Sequence, residues 1–333
     1  FKQKTAYEIS LGLVGSEMCI RDRIFNVLDG SIITAYDPDY EFLFYVYGSL
    51  IMRDSELHEC GYDYHHQGLC IIESDEEVVI ENSTISDNYS GICCYYSSSI
   101  TISRCEIIDN GYHGIVCRHS SNITISGCNI SGNGGYGICC LYSLNIIISG
   151  CNISHNGWHY DGIFCGCSFN ITVSECNIID NESNGICCWR CSSNIIISGC
   201  EIIDNSYCGI ECSCSSNVII VNNIFTHNGV LLSGDMLEHY VHDIRNNTVN
   251  GRPLYYVLNA KDYVVPSDGG QVIVVNSSHI TISRLNASYT DIGIEIAFSS
   301  YIMMSECEMS YNERNGIVCL YSSSITIFGC NIS

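Results

Sequence analysis

Nine side chains gather at one recurrent place in this chain. Tyr112, His113, Tyr136, His155, Trp158, His159, Tyr160, Asp161 and Tyr207 lie between a recurring asparagine and a Gly-Ile pair, or just before that asparagine. Aromatic faces stack on the apolar CH faces of a sugar, and carboxylates and imidazoles hydrogen-bond its hydroxyls. The set therefore fits contact with a neutral saccharide. It equally fits tyrosines that only cover a bend, and the sequence leaves both readings open. A second set, Asp180 and Asp204, is the candidate for catalysis. Retaining glycosidases hold two carboxyl groups about 5–5.5 Å apart, but any ladder of acids in a stacked repeat supplies that spacing. A lyase acting on a polyanion would need bases, and the repeats offer only scattered arginines, Arg104, Arg118 and Arg190. The third set is Asp235, Glu238, His239 and His242. On a helix their i, i+3, i+4, i+7 spacing would place them on one face, a candidate divalent-metal site. Against the helix, "HDIRNNTVNG" fits the repeat frame from His242, with Asn247 and Val249 at regular positions.

These candidates depend on a repeat that positions them. Taking the first residue of each "ITIS"-like run as position 0, starts fall at Val78, Ile100, Ile123, Ile146, Ile171, Ile195 and Val218, and again at Ile280, Ile302 and Ile325, spaced by 22 to 25 residues. Position 5 is cysteine at Cys105, Cys128, Cys151, Cys176, Cys200, Cys307 and Cys330, and position 10 is asparagine from Asn88 through Asn228 and at Asn312. Gly-Ile follows, and a second cysteine column stands two residues beyond the isoleucine: Cys94, Cys117, Cys140, Cys165, Cys188, Cys212 and Cys319. Apolar residues alternate over short β-branched runs, the period of strands. Strands this short bury a face only by stacking. The expected fold is all-β, a single-stranded right-handed parallel β-helix of about a dozen coils with like residues stacked about 4.8 Å apart.

In that fold, positions 0, 2, 5 and 7 face inward, and the cysteine columns are small core residues. Disulfides between coils are a rival reading, since stacked neighbours lie within disulfide reach of about 4.4–6.8 Å. Thiolate metal sites fit less well, because a ladder sets its ligands along a line and zinc gathers four around a point. The position-10 asparagine is expected to donate its amide to the next coil's carbonyl.

Charge narrows the partners. Asp and Glu number 36 against 13 Lys and Arg, a net charge of −23 over 333 residues. Nucleic acids and anionic membranes recruit clustered Lys and Arg, so both are excluded as partners. No apolar run reaches the length of a membrane span. Residues 1–23, containing "VGSEMCIRDR", read as a translated sequencing-library adapter and are set aside, so any signal peptide is unobservable. Residues 24–49 are expected to cap the open end, residues 50–333 to form the β-helix with an irregular β insertion at 229–271, and the chain to stop in mid-coil. Within the insertion, "GRPLYYV" and "YVVPSDGGQVIVV" read as a strand pair that loops out and rejoins.

"NNTVNGRPLYYV", "GGQVIVVNSSHITISRLN" and "IGIEIAFSS" resemble the NosD-like right-handed β-helix proteins, of the domain family of carbohydrate-binding proteins and sugar hydrolases with a pectin lyase-like fold. The stretch Asn247 to Leu254 carries the likeness most specifically. The resemblance implies an exported protein, periplasmic, extracellular or on the cell surface. It implies a polysaccharide or cell-surface glycan as partner and a non-catalytic binding or scaffold role. Its alternatives are a polysaccharide hydrolase or lyase of the same fold, and a copper-delivery accessory protein. No family copper ligand maps onto a residue of this chain, so no cofactor is expected, with copper or another divalent ion held as the alternative.

Overall fold

The computed structural model describes residues 17–20, 24–35, 42–65 and 67–333. Of the adapter-like stretch, residues 1–16 and 21–23 lie outside the described residues, while Glu17–Ile20 is a strand paired with Leu43–Val46. The chain divides into two units, Phe1–Thr172 and Val173–Ser333. Each is a parallel β-solenoid. Among the described residues the only helical element is a 3-10 turn at Leu237–Tyr240, so no helix is long and apolar enough to cross a membrane.

In the first unit every coil repeats three strands. Ile92–Tyr95, Ser98–Ser103 and Glu106–Ile108 are followed by Ile115–Arg118, Ser121–Ser126 and Asn129–Ser131. The coils pair in parallel with like on like: Ile92 with Ile115, Ile100 with Ile123, Ile107 with Ile130. Ile24–Val27 and Ile32–Ile33 pair in the same way with Ser49–Arg53 and Glu56–His58. The expected inward positions are buried, as Ile100, Ile102, Cys105 and Ile107 illustrate. Both cysteine columns lie in the core apart from exposed Cys319 and half-buried Cys330, and among the described residues no disulfide forms.

The bends close their hydrogen bonds with ladders of side chains. Asn110 donates through Nδ2 to Asn133 Oδ1 at 2.8 Å, and Asn133 to Asn156 Oδ1 at 2.9 Å. The amides also reach the preceding coil's carbonyl, Asn133 to Ile107 at 3.0 Å, where the next coil's was expected. A serine ladder at Ser97, Ser120, Ser143 and Ser168 does the same at another corner, each hydroxyl receiving the previous serine's N–H.

In the second unit Ile210–Ser213 pairs with Val230–Ser233, and Ser216–Val221 with Asp243–Arg245. Asn223 and Asn247 continue a ladder at 3.1 Å, which sets "HDIRNNTVNG" in the frame expected from His242. At Gly251 the chain reverses with φ 73°, and Thr248–Val249 meets Arg252–Leu258 antiparallel. From there Arg252–Leu258 pairs in parallel with Gln271–Val275, and Lys261–Val265 with Ser278–Ser283.

Candidate functional site

The corner of the first unit gathers rings. Tyr112 is the hub, 6.4 Å from Tyr64, 5.7 Å from Tyr89 and 5.6 Å from Tyr160 between centroids. The hydroxyls of Tyr112 and Tyr160 lie 3.1 Å apart, so one donates to the other. Tyr136 packs edge-on to Tyr160 and stacks on Phe164. His113 belongs to the foundation of this cluster. It is buried, its Nδ1 accepts the Tyr136 N–H at 2.9 Å, and burial lowers its pKa to about 4. Gly135 makes room for it, since a Cβ there would sit 2.3 Å from Nδ1.

The longest corner stands beyond these rings. Gly157, at φ 83°, allows a turn so tight that a Cβ would meet Tyr160 O at 2.5 Å. The turn presents Trp158, 79% exposed, with exposed His159 beside it and half-buried Tyr160 behind. Exposed His155 precedes it, and Asp161 is turned into the protein. The structure thus brings Tyr112, His113, Tyr136 and Tyr160 together, projects Trp158 and His159 outward, and buries His113 and Asp161.

Beneath the strands of this corner lies a cluster that sequence reasoning missed. Cys70, Cys93, Val116 and Cys139 turn away from the solenoid core yet are buried under Tyr45, Tyr95, Tyr136 and Phe164. Burial pushes the Cys139 thiol up to about 12. Doubled cysteine in "GICC" was the available signal, because adjacent strand residues face opposite sides.

The second unit holds the carboxylates. Asp180 and Asp204 are exposed on successive coils, with the Asp180 N–H donating to Ile203 O at 3.0 Å. Asp204 Oδ1 lies 2.7 Å from His227 Nδ1. Glu313 stands close enough that, after desolvation, Asp204 raises its pKa while His227 lowers it. Tyr207 has one face covered by the Arg314 guanidinium, 3.8 Å from the ring centroid. Next to His227 is a cavity of about 430 Å³ lined by Asn250, Arg252, Ser288 and Tyr289. A second cavity shares Arg252 and Asn286 and adds Arg284 and Asp268. Sequence reasoning missed this groove, because its walls come from the reversal at Gly251.

The four metal candidates part company. Only a short 3-10 turn forms, so they share no helical face. His239 Nδ1 and Asp235 Oδ1 are 3.3 Å apart. Glu238 is exposed. His242 is buried with a pKa near 4 from burial; its Nε2 faces the His239 carbonyl at 3.0 Å and its Nδ1 the Val218 N–H at 3.4 Å.

Coils in register, asparagine ladders and inward isoleucine files are accompanied by a sequence match to the right-handed β-helix region over residues 42–195 and 157–262. The chain belongs to that family. As a right-handed β-helix it is similar to the structure of a variant of the periplasmic alginate epimerase AlgG. That likeness has a TM-score of 0.55 at 15% identity and covers 94% of this chain and 69% of that one. It is also similar to the Azotobacter vinelandii mannuronan C-5 epimerase AlgE6 A-module, with a TM-score of 0.50 at 15% identity, over 95% and 82% of the two chains. Likeness at this identity shows the β-helix fold. No curated protein matches the chain.

Proposed function

We propose that this chain is an exported or cell-surface β-helix protein that binds a saccharide along the aromatic corner of its first unit without transforming it. The observation that carries the reading is Trp158, 79% exposed on a glycine-dependent turn beside the Tyr112–Tyr160 hydroxyl pair. An exposed indole offers a flat apolar face with an N–H at its edge, and a pyranose ring offers a matching apolar face flanked by hydroxyls. The neighbours in fold are named for alginate and mannuronan, and one as periplasmic, which supports a polysaccharide partner and an extracytoplasmic setting. The NosD-like stretch Asn247 to Leu254 is part of the same reading. Affinity electrophoresis through gels carrying neutral polysaccharides tests it. Retardation of the intact chain should vanish in Trp158→Ala and weaken in Tyr112→Phe; equal retardation of Trp158→Ala would overturn the assignment.

A catalytic reading has one observation in its favour, the Asp204–His227 pair beside Glu313 and the Arg252 groove. Reducing-end release from a polysaccharide, lost in Asp204→Asn and in Asp180→Asn but kept in Trp158→Ala, would replace the binding reading with it.

A further inference from the structure

The corner after strand Ile210–Ser213 is where one file of the second unit stops. Cys214 occupies that corner with φ 50°, and its N–H donates to Ser233 O at 2.8 Å. The next coil leaves the stack at this level, so Gly234 to Tyr240 pass over Cys214 where another corner would have stacked. This brings a thiol, a carboxylate and an imidazole together. Cys214 Sγ, an Asp235 carboxylate oxygen and a His239 ring nitrogen all lie within 4.8 Å of one another.

We propose that Cys214, Asp235 and His239 form a binding site for one borderline divalent cation of the zinc class. Donor atoms at about 2.0–2.1 Å from a tetrahedral ion stand roughly 3.3 Å apart, and the Asp235 Oδ1 to His239 Nδ1 separation is 3.3 Å. A thiolate with an imidazole and a carboxylate is a mixed donor set that favours zinc over calcium or magnesium, which take oxygen ligands. His239 Nδ1 accepts the Met236 N–H only at 3.4 Å, a long and weak hydrogen bond that an ion on this nitrogen would replace. The backbone is shaped around this ring: a Cβ on Gly234 would lie 2.3 Å from His239 Nδ1. His239 is buried, Cys214 half-buried and Asp235 exposed, so the fourth position opens to water. The Asp235 side chain is 78% exposed, so little packing fixes its carboxylate. Such an ion would pin the excursion from Gly234 to Tyr240 onto the coil below it.

The site does not rest on the saccharide reading and is tested apart from it. Cobalt(II) is titrated into the reduced full chain and the thiolate-to-cobalt charge-transfer absorption is followed. The expected result is a band saturating at one equivalent, kept in Cys191→Ser, whose exposed thiol is one coil away, and lost in Cys214→Ser and His239→Ala. Asp235→Asn, at an exposed position, should weaken cobalt binding more than about tenfold. No band in the intact chain, a band that survives Cys214→Ser or His239→Ala, or unchanged affinity in Asp235→Asn would each overturn the assignment.

Discussion

His113 spends its Nδ1 on the Tyr136 N–H and its ring on Tyr112 and Tyr136, with centroids at 3.7 and 5.1 Å. A ring so placed sets the strip's geometry and has neither face open to a ligand. Its pKa of about 4 also has a sign for stability. Below the ordinary histidine value of about 6.5 the unfolded chain takes up a proton that the folded chain refuses until near 4. The contribution of His113 to stability should therefore fall as pH drops from about 6.5 to 4, by up to about 3 kcal/mol. Urea unfolding of the wild type and of His113→Leu across that range isolates it: the stability difference between the two should shift by that amount, because buried His242, also near 4, and buried Glu295 act in both proteins and cancel. Trp158→Ala, by contrast, should move the midpoint by less than about 0.5 kcal/mol. The sequence showed that rings and histidines crowd this corner. It could not show which turn inward, because an irregular corner has no period from which side-chain direction can be read.

Asn133 shows how strands this short are held at their ends. Its Nδ2 donates to Ile107 O and Asn156 Oδ1, and its Oδ1 accepts from the N–H and the Nδ2 of Asn110. Asn133→Ala removes all four bonds in a buried place and should cost about 3–4 kcal/mol. Asn145 makes a comparable Asn-to-Asn bond in the open, at 3.0 Å to Asn122. Glycine suits its φ of 55°, so Asn145→Gly should cost less than about 1 kcal/mol. The buried ladder was legible because asparagine repeats at position 10 without exception from Asn88 to Asn228. The serine ladder was not, since serine is common throughout these corners. Where strand Val230–Ser233 needs edge partners, side chains from distant coils provide them: Gln271 bonds both the N–H and the carbonyl of Val230, and Glu295 Oε2 accepts the Leu232 N–H. Glu295 is fully buried, and desolvation raises its pKa to about 8. The folded state therefore holds a proton that the unfolded state releases near 4.5, and the stabilisation tied to Glu295 should decline as pH rises from about 4.5 through 8. Its Oε1 has no partner among the described residues, so Glu295→Gln keeps the Leu232 bond and should remove the Glu295 share of the decline, leaving that of buried Asp291, whose pKa desolvation raises to about 7. Urea midpoints at pH 5 and pH 8 measure the difference. No local motif announces such contacts, because residues 232 and 295 share no repeat position.

A charge of −23 on 333 residues acts on any ligand before contact is made. A polyuronate approaching such a chain is repelled over about 30 Å at 0.01 M salt but only about 8 Å at 0.15 M. Similarity in fold to alginate epimerases therefore does not bring their substrate with it. On the proposed reading this charge favours a neutral saccharide, for which the long-range field is irrelevant and binding would rest on stacking with Trp158. The local exception is the groove holding Arg252 and Arg284, where Arg252 Nη1 already donates to Asn286 O at 3.1 Å. Retention on a neutral polysaccharide should change less than about twofold between 0.01 and 0.15 M salt, and should depend on Trp158. Retention on alginate should be weakest at low salt and should not respond to Trp158→Ala. If alginate is instead held best at low salt, and Arg252→Ala abolishes that retention, then the groove outweighs the net charge. The saccharide site would then lie in the second unit, beside Asp204 and His227, and the corner tyrosines of the first unit would be covering a bend.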